Sequence, residues 1–82
     1  MTDNRTRLIQ ARERLGLSIG EMAVVMGVSH YTIRNWEGGT RTVSSCGARL
    51  LDVLDILQML APMVLDTMVR DAKAASGRLT VP

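Results

Sequence analysis

The 82-residue sequence predicts an all-α fold, and three observations carry that expectation. No Val, Ile, Thr or Tyr tract alternates with period two for long enough to make a strand. Apolar residues recur instead at three- and four-residue spacing. Glycines and serines punctuate the chain at intervals that suit short helices, each with its own start and stop. A chain of this length hides only about 60 to 65% of the surface its unfolded form exposes, so a second copy is an expected way of completing its core.

The first helix starts from Thr2 or Asp3 as N-cap, runs through Leu8, Ile9 and Arg12 to Leu15, and is ended by Gly16. The second begins at Ser18, which forms a capping box with Glu21 three residues on; Met22, Ala23 and Met26 line its inner face and Gly27 stops it. Ser29 caps a third helix, residues 30–37, on which Ile33 and Trp36 point to the core before Gly38 and Gly39 break it. Two short helices joined by a tight turn containing glycine, the second with polar residues outward, make a helix-turn-helix arrangement. From Ser44 to about Ser76 the chain is again helical, and Pro62, which lacks an N–H, favours a split into a fourth and a fifth helix. The residues from Ala74 onward have little to bury and are expected to fray.

Composition narrows the function classes. One cysteine (Cys46) and one histidine (His30) supply no disulfide framework, no zinc-ligand set and no nucleophile pair. Lys73 is the sole lysine, so a phosphate-binding loop is excluded, and no Gly-x-Ser-x-Gly elbow occurs. The chain therefore reads as a non-enzyme without cofactor or metal. No charged leader with an apolar stretch and cleavage site opens the sequence, so the expected location is the cytoplasm. The longest apolar tract, residues 50–65, contains Asp52 and Asp55 and is not a membrane span. The net charge of +2 is small, but its distribution is uneven: residues 1–42 carry Arg5, Arg7, Arg12, Arg14, Arg34 and Arg41 against Asp3, Glu13, Glu21 and Glu37, whereas the second half balances. A polyanion would bind the first half.

The ordered series Arg12-x-x-Leu15-Gly16-Leu17-Ser18-x-x-Glu21-Met22-Ala23-x-x-Met26-Gly27-Val28-Ser29-x-x-Thr32-Ile33-x-x-Trp36-Glu37-x-Gly39-x-Arg41 resembles the phage-repressor and Cro type of helix-turn-helix domain, the lambda-repressor-like or XRE family. The resemblance covers some thirty residues directly, and Leu50, Leu51, Val53 and Leu54 resemble the helix that follows in that family. It implies a compact five-helix domain that binds a palindromic operator in double-stranded DNA as a dimer. By the same resemblance, His30, Tyr31 and Asn35 touch base edges. Chemically, Asn35 can pair with adenine, His30 can donate to guanine and Tyr31 can meet a thymine methyl. Arg34 faces outward and reaches a base or a phosphate. Thr40 and Arg41 lie in the loop where family members clamp the DNA backbone, and Ser44 and Ser45 open a helix whose free N–H groups suit a phosphate. Ser18, Ser29 and Thr32 complete the phosphate set, although ordinary capping explains the serines equally well. Arg5 and Arg7 are further candidates, weighed against plain solvation. The glutamine that many relatives place after the second helix's cap is replaced by Ile19 and Gly20, which removes one phosphate contact. Arg12 and Glu37 match an ion pair between the first and third helices and are read as structural.

Apolar residues cover far more of the C-terminal segment than one intramolecular face requires. The residues around 50–57 are expected to meet the helix-turn-helix core, and Leu57, Met59, Leu60, Met63, Val64 and Met68 to form a homodimer interface. The resulting division is a DNA-binding domain at 1–58, a C-terminal dimerisation helix at 59–76 and a flexible tail at 77–82. The expected function is a homodimeric repressor or autoregulator of a small phage, plasmid or mobile-element operon; the rival is an antitoxin whose apolar half grips a toxin. Cys46 is expected to be a small buried side chain.

Overall fold

A computed structural model describes residues 3–79. Five helices follow one another, and no strand occurs among the described residues. Helix α1 spans Asn4–Leu15, α2 Ile19–Met26, α3 His30–Gly38, α4 Ser45–Leu60 and α5 Pro62–Leu79.

The boundaries follow from local chemistry. Asp3 is the N-cap of α1, its carboxylate accepting the Thr6 N–H at 2.7 Å. The Ser18–Glu21 capping box is reciprocal: the Ser18 hydroxyl accepts the Glu21 N–H at 3.1 Å and the Glu21 carboxylate accepts the Ser18 N–H at 2.8 Å. Gly27 then takes φ of 70°, a left-handed conformation that only glycine adopts at little cost, and its turn swings the chain into α3. Ser29 caps α3 and Ser44 caps α4 in the same way. Pro62 is the first residue of α5, so the expected split is found. Ala61 alone forms the corner. Its N–H closes α4 on the Leu57 carbonyl at 2.8 Å, and its own carbonyl receives the N–H groups of Val64 and Leu65. Pro62 has no N–H to leave unpaired there.

One core joins all five helices, built on Leu8, Met22, Ile33, Leu51 and Leu65, each at most 2% exposed. Met22 and Met26 are buried in it, as their spacing suggests. Helix α5 lies chiefly along α2 and contributes Leu65 and Ala72 to the interior. The boundary expected at residue 58 falls inside α4, and α5 shares the core of the other helices. The helix also continues through Ala74 and past residue 76 to Leu79; residues 80–82 lie outside the described residues.

Cys46 is exposed, contrary to expectation, and the buried small residue is its neighbour Gly47. A Cβ on Gly47 would lie 2.7 Å from the Trp36 ring carbon Cη2. The start of α4 is thus pressed directly onto the tryptophan of α3.

Candidate nucleic-acid interface

Helix α3 is held from behind. Ile33 is fully buried and Trp36 is 6% exposed, so the direction these two side chains take fixes what the opposite face presents. At 100° per residue, His30, Tyr31, Arg34 and Asn35 fall within an arc of about 140° turned away from that anchor. The burial agrees: His30, Tyr31 and Arg34 are exposed and Asn35 is partly so. All four residues assigned to base contact therefore share one outward face. Tyr31, at 74% exposure, is a large ring left mostly in water. The His30 and Tyr31 rings stack with centroids 6.4 Å apart.

Around this face sit hydroxyls in a common state. Ser18, Ser29 and Ser44 each use Oγ to accept a backbone N–H, from Glu21, Thr32 and Gly47 respectively. A hydroxyl accepting in this way still has a proton to donate, and a phosphate oxygen is an acceptor. Ser29 and Thr32 also bond hydroxyl to hydroxyl at 2.8 Å, leaving the pair one outward proton between them. The cap reading and the phosphate reading of these residues are therefore compatible. Thr40, Arg41, Ser44 and Ser45 are exposed on the α3–α4 connection. The Arg41 N–H donates to the Asn35 carbonyl at 3.2 Å, which folds the loop back against the end of α3. Arg34 and Arg41 enter no ion pair among the described residues.

The other arginines of residues 1–42 are committed elsewhere. Arg12 makes a two-pronged bond to Glu37, Nε donating at 2.7 Å and a terminal nitrogen at 3.0 Å, with side chains 21% and 12% exposed. Its remaining terminal nitrogen donates to the Leu17 carbonyl at 3.1 Å. Hydrogen bonding to Glu37 holds the Arg12 guanidinium above its ordinary range, against the opposing effect of burial. The structural role expected of this pair is its geometry here.

Arg7 was a candidate for DNA contact, but its guanidinium donates at 2.9 Å to both Asp55 and Asp52, clamping α1 to α4. These bonds, first Asp55 and then Asp52, raise its pKa. Arg14 lies 3.5 Å from Asp55 and Arg49 lies 3.6 Å from Asp52, extending the network. No sequence signal marked it, because its partners are 45 and 48 residues away. Arg5 donates through Nε to the Glu37 carbonyl at 2.7 Å, satisfying one of the free carbonyls at the end of α3. Its terminal nitrogens border an open groove of about 540 Å³ shared with Arg41, Asn4 and Trp36.

Over 48 residues the chain is 46% identical to a protein of Archaeoglobus fulgidus provisionally named HTH-type transcriptional regulatory protein. The likeness is to a helix-turn-helix regulator. That stretch is 58% of this chain and 16% of the relative, so the chain corresponds to a small part of that protein. No family model and no solved structure matches the chain. No helix among the described residues is long and apolar enough to cross a membrane.

The residues assigned to a dimer interface divide. Leu57 of α4 and Met68 of α5 pack against the chain's own core. Met59, Leu60, Met63 and Val64 do not: they are 79%, 75%, 81% and 50% exposed and cluster around the Ala61 corner. Ile56 and Val53 extend the same apolar surface, at 47% and 39% exposure.

Proposed function

We propose that the chain is a sequence-specific double-stranded DNA-binding transcriptional regulator of the phage-repressor and Cro type. Helix α3 enters the major groove, with His30, Tyr31, Arg34 and Asn35 reading bases. Arg41, Thr40, Ser18, Ser29, Thr32, Ser44 and Ser45 hold the phosphates. The observation that carries this reading is the outward polar face of α3, backed by the buried Ile33 and Trp36, with Arg34 on it and Arg41 in the loop that follows, both without an ion pair among the described residues.

The regulator acts as a homodimer on a palindromic operator, with half-sites about 34–36 Å apart on one face of the duplex. The surface at the α4–α5 corner supports this. Its six exposed apolar side chains leave roughly 600–700 Å² uncovered, close to the ~800 Å² that each partner buries in a standard interface. The patch carries no charge of its own, so a second copy meets it without repulsion. A homodimer bound to a palindromic operator suits repression of its own small operon.

The test is a footprint on the DNA upstream of its own gene, with the parent, Asn35→Ala and Arg41→Ala. Asn35→Ala is expected to relax site preference, and Arg41→Ala to weaken binding uniformly across sequences. A dimer in which Arg34, Arg41 and Arg5 of each protomer neutralise about 6 phosphates in all gives a log–log salt slope near −5. Folded variants that footprint like the parent would overturn the contact assignments. A chain that is insoluble alone and rescued by a neighbouring gene's product would favour the antitoxin reading.

A further inference from the structure

The methionines among the described residues are sorted by exposure in a way the proposed function does not require. Met22 and Met26 are sealed in the core at 0% and 5% exposure, and Met68 packs partly against it. Met59 and Met63 stand on either side of the Ala61–Pro62 corner at 79% and 81% exposure, the most open large apolar side chains among the described residues. They are also the centre of the uncharged patch that the proposed dimer covers.

We infer that Met59 and Met63 form a peroxide-sensitive modification site, whose conversion to sulfoxides releases the homodimer and with it the operator; this rests on the dimer reading above. A lone pair of the thioether Sδ attacks the terminal oxygen of a hydroperoxide. The O–O bond breaks as the S–O bond forms, the sulfur gives up two electrons, and the proton passes to the departing oxygen, giving water when the oxidant is hydrogen peroxide. The product is a strong hydrogen-bond acceptor where an apolar atom stood. Val53, Ile56, Leu60 and Val64 offer it no donor. The neighbouring Thr67 hydroxyl is already donated to the Met63 carbonyl at 3.0 Å. Closing the interface therefore buries unpaired sulfoxides, and a two-fold dimer meets each of them twice. Monomer exchange exposes the sulfurs to oxidant, and sulfoxide reduction by thiol-dependent reductases returns the apolar face.

The experiment uses the full chain carrying Cys46→Ser, which removes the other exposed sulfur among the described residues, and peptide mapping reads Met1 separately. Hydrogen peroxide is added stepwise while intact mass, peptide mapping and sedimentation are followed, with far-UV circular dichroism as the check on folding. The expected result is oxygen added first at Met59 and Met63, a shift from dimer to monomer with helicity retained, and operator affinity lower by roughly 100-fold. Methionine sulfoxide reductases restore both. The Met59→Leu/Met63→Leu variant is expected to stay dimeric and keep its affinity at the same dose. Sulfoxides at both positions in a chain that still sediments as a dimer would overturn the inference while leaving the dimer intact. Equal loss in the leucine variant, or earlier oxidation of Met22 or Met26, would overturn it as well. An untreated chain that is monomeric at micromolar concentration would remove the dimer reading itself.

Discussion

Gly47→Ala tests how closely α4 is seated on α3. The added Cβ would lie 2.7 and 3.0 Å from two ring carbons of Trp36 and 3.1 Å from a methyl of Val43. Carbon–carbon contacts are optimal at about 3.5–4.0 Å, so at least one neighbour must move. The indole is itself 6% exposed and wedged between helices, which leaves it little room. Overpacking of this kind costs about 1–3 kcal/mol, and two rigid neighbours put it in the upper half of that range. Alanine regains about 1 kcal/mol of helix propensity over glycine, so a net loss of about 1–2 kcal/mol remains. For a domain of this size that lowers Tm by roughly 5–15 °C. Gly38→Ala supplies the comparison: it sits in α3 with no heavy atom nearer than 4.0 Å, so it keeps the propensity gain without the collision. Trp36 is the only tryptophan, and its fluorescence and near-ultraviolet dichroism report the contact directly. A Gly47→Ala chain as stable as Gly38→Ala, with an unchanged tryptophan spectrum, would show that α4 does not press on the ring and would refute the reasoning.

Arg12→Met should cost about 2–4 kcal/mol in urea unfolding by leaving the Glu37 carboxylate half-buried and unpaired, and Arg12→Met/Glu37→Leu should cost less than the sum of its single variants. The folded fraction of Arg12→Met should bind operator as the parent does; selective loss of affinity would make Arg12 a DNA ligand. Asp3 is held below its ordinary pKa of 3.8, first by the Thr6 backbone N–H and then by the Thr6 side chain. Its contribution is therefore present above that value and lost as pH falls through the folded pKa, so parent and Asp3→Ala should differ in Tm at pH 7 and converge at acidic pH. A gap that widens on acidification would reverse the sign and refute the cap. Leu60→Glu should give a folded monomer with unchanged far-UV dichroism and weakened operator binding, read by sedimentation and footprinting; a variant that remains dimeric would place the interface elsewhere.

Those helix limits were legible because they are local. Ser18 with Glu21, Gly16, Gly27, Ser29, Ser44 and Pro62 each satisfy or forbid a backbone hydrogen bond within a few residues, and the structure uses every one at the expected position. The outward face of α3 was legible for the same reason, since Ile33 and Trp36 set its phase. What the sequence left open was which helix covers which. Periodicity says that Leu65, Met68 and Ala72 share a buried face but not that α2 covers it, and Met68 was accordingly turned outward. Cys46 and Gly47 were separated only by the rotation of α4 on Trp36, although a glycine inside a helical pattern was itself a sign of close approach.

The charge asymmetry that pointed to a polyanion in the first half acquires a different meaning once the pairs are known. Arg7, Arg12 and Arg14 face Asp52, Asp55 and Glu37, so half of the arginines counted there neutralise acids of the same molecule. The electrostatic pull on a phosphate backbone falls to Arg34 and Arg41, with the outer nitrogens of Arg5 beside the latter. All three belong to α3, the loop that follows it, or the α1 side chain bonded to its last turn. The acids Asp52 and Asp55, which disqualify the apolar tract as a membrane span, pair with Arg7 and Arg14 of α1 and so leave Arg34 and Arg41, with Arg5, as the arginines of the first half without an acid partner among the described residues. The modest net charge of +2 is thereby compatible with a strong local field, and salt dependence measured on Arg34→Gln and Arg41→Gln, against Arg7→Gln, separates the two sets: each of the first pair should reduce the slope by about 1 per protomer and the last should leave it unchanged.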